Sequence, residues 1–253
     1  MYQNELKLAI CAAKAAGEIL RSRHGIVVDS AEGKDIKLSS DKLSEKEIIR
    51  ILQEGSHYTI LSEECGMLQG TNNEGFIWII DPLDGTANYL KGLSEMTCVS
   101  IALWKNNEPV LGVVYRYSID ELYWGVVGEG AFCNNNAIST ANTALVKQSV
   151  MATGFPVHRD YSTNSLEAFI ECVQRFKKVR MFGAAAIMGT LVAAGKIDMY
   201  WEDHIMLWDI AAAAAIVSAA GGCIHIKPLE NYMCICHFFA NKALMEDFYA
   251  ESV

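Results

Sequence analysis

Proline is scarce in this chain, four residues in 253, and no serine- or glycine-rich stretch stands in for a linker. Basic charge is also short: 21 Lys and Arg face 30 Asp and Glu, a formal net charge of −9. That balance argues against nucleic acid as a partner held by phosphate neutralisation. It leaves phosphorylated small molecules open, because a bound cation reverses charge locally. No apolar run approaches the roughly 20 residues of a membrane helix. Eight cysteines are present but none forms a Cys-x-x-Cys pair. Without a secretion-type N-terminus they read as reduced thiols of a cytoplasmic protein rather than a disulfide framework. Cys234, Cys236 and His237 come closest to a metal pattern. Their segment alternates like a strand, which puts the two thiols on one face and the imidazole on the other.

Apolar residues make up 51% of the chain, enough for a substantial core. Leu6, Ile10, Ala13, Ala16 and Leu20 recur at helical spacing, with Gly25 as a stop. A second helix is expected from about Asp41 to Leu52, with Ile48, Ile49 and Leu52 facing inward. Strands are expected at TILS, at FIWIID, on either side of KNNE as a hairpin, and at ELYWGVV. Later the pattern alternates between strands near Val150, Asp198–Trp201 and Cys223–Ile226 and helices at Leu166–Phe176, Ala184–Ala194 and Asp209–Ala220. The reading is α+β over residues 1–140 and α/β over 141–253.

Three acidic elements end a strand or open a helix: Glu63-Glu64, Asp81-Pro-Leu-Asp84-Gly-Thr86, and Trp208-Asp209. Singly, each carboxylate is an ordinary cap or turn residue. Asp81 to Thr86 carries more. Pro82 fixes its own φ and Gly85 permits a tight turn, so Asp81 and Asp84 converge beyond the strand end. Two converging carboxylates repel unless a proton or a cation lies between them, and oxygen-only ligands suit Mg²⁺. Gly85, Thr86 and Ala87 are expected to open a helix whose free N–H groups receive an anion. The spacing differs from the Asp-x-Asp-Gly-Thr of haloacid-dehalogenase phosphatases, and no GxxxxGK[ST] loop is present.

SEECG at 62–66, DPLDGTANY at 81–89, LGVVY at 111–115, GAA at 183–185 and WDIAAAAAIVSAAGG at 208–222 occur in the order of one family's pattern. The chain resembles the inositol monophosphatase family of Mg²⁺-dependent, lithium-sensitive phosphatases, over nearly its whole length. The resemblance implies a layered αβαβα sugar-phosphatase-like sandwich and, by analogy with relatives, a homodimer. It implies two to three Mg²⁺ ions held by Glu63, Asp81, the Leu83 carbonyl, Asp84 and Asp209. It makes Glu63, Thr86 and Asp41 catalytic, with Thr86 and Asp41 orienting a metal-activated water for in-line attack without a covalent intermediate.

By the same resemblance, Asp84, Gly85, Thr86, Gly183, Ala184, Ala185, Glu202 and Asp209 contact the substrate, Glu202 through hydroxyls of its leaving group. Two departures stand out. Ala184 replaces the pattern's hydroxyl residue, and Ala219 replaces the glutamate of Glu-Ala-Gly-Gly. The loop around Lys34 also looks shorter than the family's. The expected substrate is inositol monophosphate or a related polyol or sugar phosphate. 3′-Phosphoadenosine 5′-phosphate, histidinol phosphate and fructose 1,6-bisphosphate are the substrates of relatives. A regulatory protein-binding role is the alternative of another class.

Overall fold

The computed structural model describes residues 2–22, 28–32, 35–72 and 74–250. Helix α1 (Gln3–Ser22) leads into the hairpin β1 (Val28–Glu32) and β2 (Asp35–Leu38), then α2 (Ser39–Gly55). Next come β3 (Thr59–Ser62), β4 (Gly66–Leu68), β5 (Phe76–Asp84) and the short α3 (Thr86–Leu90). A meander follows: β6 (Cys98–Lys105), β7 (Glu108–Arg116), β8 (Glu121–Val126), β9 (Gly130–Cys133) and β10 (Asn136–Ile138). The second half runs β11 (Val150–Thr153), α4 (Thr163–Gln174), β12 (Lys178–Arg180), α5 (Ala185–Ala193) and β13 (Met199–Met206). It ends with α6 (Leu207–Ala219), β14 (Cys223–Pro228), β15 (Met233–Phe239) and α7 (Lys242–Ala250).

An eight-stranded sheet is ordered β10-β9-β8-β7-β6-β5-β3-β4, and a five-stranded sheet β12-β11-β13-β15-β14. Strand alternation sorts the core into three clusters. Trp78, Ile80, Val99 and Ile101 point one way from the large sheet, onto Leu6, Ala13, Leu20 and Ile48 of α1 and α2. Ile79, Ala102 and Val114 point the other way, onto α5 and α6, which Tyr200, Cys236 and Phe238 of the small sheet cover from behind. Met199, Trp201 and Phe239 face outward onto Phe169 of α4 and Leu244 and Phe248 of α7. The result is the αβαβα layering that the motifs implied. Among the described residues no helix is long and apolar enough to cross a membrane.

The strands of the large sheet all precede residue 140 and those of the small one follow residue 141, yet α6 packs on both. Backbone contact between α6 and the large sheet is close. A Cβ on Gly112 of β7 would lie 2.1 Å from the Ala212 carbonyl oxygen. Trp104 Nε1 donates to the Ala211 carbonyl at 3.2 Å. Ala219, the departure from the Glu-Ala-Gly-Gly pattern, packs against Gly125 of β8.

The hairpin around KNNE turns at Asn106 and Asn107, both with positive φ. Several boundaries differ from the expectation. Helix α2 begins at Ser39 because Asp41 sits inside its first turn and accepts the Leu38 N–H at 3.0 Å. Its inner face carries Ile51 as well as Ile48 and Leu52, while Ile49 is only half-buried. Strand β13 continues past Trp201 to Met206 because a bulge between Asp203 and Ile205 restores pairing with β15. The expected stop at Gly25 and the loop around Lys34 lie outside the described residues. All eight cysteines are free thiols: Cys98, Cys234 and Cys236 are buried, Cys11 and Cys65 exposed.

Candidate active site

The Asp81–Thr86 segment is held in shape by its own backbone. Asp81 still pairs with Ser100, then the register slips before Asp84 meets Cys98. The Leu83 N–H donates to Asp81 Oδ1 at 2.9 Å, and the Thr86 hydroxyl donates to the Leu83 carbonyl at 3.1 Å. Gly85 has φ 88°, and a Cβ there would stand 2.7 Å from the Met96 carbonyl oxygen. Glycine is therefore required twice over, by conformation and by space. Ser44 of α2 donates to the Pro82 carbonyl at 2.9 Å, so the turn of α2 that follows Asp41 backs this segment.

The helix opened by Gly85 has only five residues, Thr86–Leu90. Gly85, Thr86 and Ala87, which open it, stand on the cavity described below. A longer helix end is used by the protein itself. Asp84 lies across the first turn of α5, its Oδ1 accepting from Ala185 N at 3.2 Å and its Oδ2 from Ala186 N at 2.7 Å. The Cys98 thiol also approaches Oδ2, at 3.7 Å. Asn88 fastens the same junction, donating to the Phe182 carbonyl at 2.7 Å.

Glu63, Asp81, Leu83, Asp84 and Asp209 line one cavity of about 380 Å³, together with Gly85, Thr86 and Gly183. Asp209 reaches it from the first turn of α6, where the helix dipole favours a negative charge. Burial, then Glu63, Asp84 and Asp209, push the Asp81 carboxyl well above the usual range. Burial likewise raises Asp209, with Glu63 and Asp84 adding to the shift. Asp84 is raised to about 7 by burial, against the pull of the Ala186 and Ala185 N–H groups. Among the described residues no Lys or Arg lies on this wall to neutralise the carboxylates. Among the described residues no three such side chains are closed into a metal cage. The donor set, carboxylates and a carbonyl with no nitrogen or sulfur, nevertheless fits hard divalent cations. Glu63, Asp81, Asp84, Asp209 and the Leu83 carbonyl are the groups that would hold them.

Other expected site residues fall elsewhere. Ala184 and Ala185 are buried off the cavity wall, and the Ala185 N–H is already committed to Asp84. Asp41 is buried in the first turn of α2. Glu202 is 4% exposed in mid-strand and does not line the cavity. Gly154 stands against it: a Cβ there would come within 2.6 Å of Glu202 Oε1. Burial raises the Glu202 carboxyl to about 8, although the nearby Tyr200 hydroxyl opposes the shift.

The sequence reading missed Glu45. One of its carboxylate oxygens accepts both the Ser62 hydroxyl and, at 3.0 Å, the Cys65 N–H, so it clamps the turn that presents Glu63. Its position four residues after Asp41, on the same helix face, was the available signal.

The family model for the inositol monophosphatase family matches residues 1–228. The chain is 36% identical to the inositol-1-monophosphatase of Synechocystis sp., covering 88% of this chain and 78% of that protein. It is 35% identical to the Nus factor SuhB of Pasteurella multocida, covering 87% and 84%. Among solved structures, the inositol monophosphatase from Anabaena superposes with a TM-score of 0.85 at 32% identity, covering 99% and 95%. The layered fold and the carboxylate cavity thus define a phosphomonoesterase of the metal-dependent kind. The chain belongs to the inositol monophosphatase family.

Proposed function

We propose that this chain hydrolyses inositol monophosphate or a related polyol or sugar phosphate with two to three Mg²⁺ ions. The observation that carries the proposal is the convergence of Glu63, Asp81, Asp84 and Asp209 on one cavity that, among the described residues, has no Lys or Arg on its wall. Bound divalent cations would neutralise the substrate phosphate and make water acidic enough to attack at neutral pH. Glu63, half-buried at the cavity wall, is placed to accept the attacking water's proton. Thr86 offers its hydroxyl oxygen to that water, with its proton directed at the Leu83 carbonyl. Asp84 and Asp209 would hold the cation that steadies the leaving oxygen. Phe155 and Trp208 extend the wall as apolar surface and limit access of bulk water.

A phosphate-release screen across inositol 1-phosphate, sugar phosphates, 3′-phosphoadenosine 5′-phosphate and histidinol phosphate tests the reading. Release that requires Mg²⁺, stops in EDTA and is fastest on a polyol phosphate is expected. No release above the EDTA background from any ester would end it. Similarity to proteins named Nus factor SuhB favours a second reading, a regulatory role through protein contact. Affinity capture with intact and Asp81→Asn protein separates the two, because a scaffold keeps its partner when chemistry is lost.

A further inference from the structure

We propose that His204 is a specificity-determining residue that hydrogen-bonds a hydroxyl on the leaving-group alcohol of the substrate. The assignment rests on the phosphatase reading and names what its cavity selects. Strand β13 pairs with β15 until the register slips, and His204 is the residue left without a partner position. Its φ is 61°, a left-handed conformation uncommon outside glycine, although histidine tolerates it better than most. Bulges of this kind re-aim a side chain. Here the side chain joins the wall of the cavity that holds Glu63, Asp81 and Asp209. Its Nδ1 is buried and has no hydrogen-bond partner within the protein. A buried ring nitrogen in that state is an unmet hydrogen-bonding position on a residue of the cavity wall.

The bulge is fastened on its N-terminal side. Asp203 Oδ1 accepts the Trp201 indole N–H at 2.9 Å, and its Oδ2 stands 3.9 Å from Arg159 Nη1. Arg159 is itself buried, 4.5 Å from the Phe169 ring centroid, and follows the loop that supplies Phe155 and His158 to the same wall. These contacts fasten the backbone beside His204 and leave its Nδ1 unused. Among the described residues, beyond the carboxylates, Thr86 and the Trp208 indole, the wall's polar side chains are His204 and the exposed His158. Glu202 is buried and does not line the cavity. Of the two, His204 alone offers a desolvated polar atom, where a hydrogen bond discriminates most.

The test compares kcat/KM for inositol 1-phosphate with that for phenyl phosphate, whose leaving group has no further hydroxyl. Wild type, His204→Gly and His204→Asn are measured with saturating Mg²⁺. Glycine removes the ring and accepts the positive φ. Asparagine also tolerates that φ and carries an amide oxygen at a reach similar to Nδ1. The inositol-to-phenyl ratio should fall about tenfold in His204→Gly, the scale of one net hydrogen bond, and recover in His204→Asn. An unchanged ratio in His204→Gly overturns the assignment. An equal fall in both variants also overturns it, because a structural role for the imidazole would then explain the loss. If wild type released phosphate from neither ester, the phosphatase reading would fall and take this assignment with it.

Discussion

Asp84 is asked to do two things, and a single substitution separates them. Both of its oxygens accept N–H groups from the first turn of α5, and it also belongs to the cavity's carboxylate set. Asp84→Asn keeps the shape but turns an amide N–H₂ toward one of those donors. A buried donor left unsatisfied costs about 1–3 kcal/mol, so this variant should be measurably less stable as well as inactive. Its kcat in saturating Mg²⁺ should fall by more than the roughly 10–100-fold typical of groups that merely support a ligand. Urea denaturation alongside turnover checks both; near-normal kcat would remove Asp84 from the chemistry. Glu202 makes a different prediction. Its carboxyl rises from 4.5 to about 8 on folding, so between those values the folded chain holds a proton that the unfolded chain releases. Its stabilising contribution is complete below about pH 4.5 and is lost as pH climbs through about 8. In EDTA the melting temperature should therefore drop from pH 5 to pH 8, and Glu202→Gln should flatten that slope. An identical slope in the variant would show that Glu202 is not the titrating group.

Elements bring these residues together through contacts that local pattern does not encode. The Asp-Pro-Leu-Asp-Gly-Thr segment was legible because Pro82 and Gly85 dictate a local turn whatever surrounds it. That Asp84 rests on α5, a hundred residues further on, was not, since no periodicity in either segment refers to the other. The burial of Glu202 was hidden for a related reason. Residues 202–206 break strict alternation at the His204 bulge, so the strand was expected to end at Trp201. Helix α6 was readable as a helix from its alanines, but its distance from β7 was not. That distance predicts a large effect for a small change. Gly112→Ala would place a methyl 2.1 Å from the Ala212 carbonyl oxygen, so α6 must shift. Overpacking of this kind costs about 1–3 kcal/mol. Because α6 carries Asp209, the Mg²⁺ concentration for half-maximal activity should rise as well. A denaturation midpoint equal to wild type would show that the sheet and helix have slack the structure does not reveal.

Across the whole molecule, the site depends on the layers being stacked. Glu63 and Asp81 come from one end of the large sheet and Asp209 from the helix between the sheets. The unfolded chain does not hold them together, so cations that bind only the assembled site stabilise the fold by mass action. At a hundred times the dissociation constant that amounts to about 2.7 kcal/mol. Calorimetry should show a melting temperature that climbs with Mg²⁺ and drops in EDTA; indifference to both would argue against a cation site in this cavity. Helix α6 adds something of another order. Ile210 to Val217 are buried without a break, five of them alanines in succession. A helix with one wet side offers descent a stripe on which to experiment, every third or fourth letter free to drift. This one has no such stripe. The plainest-looking stretch of the chain, which could pass for filler, is the text its lineage has least freedom to rewrite.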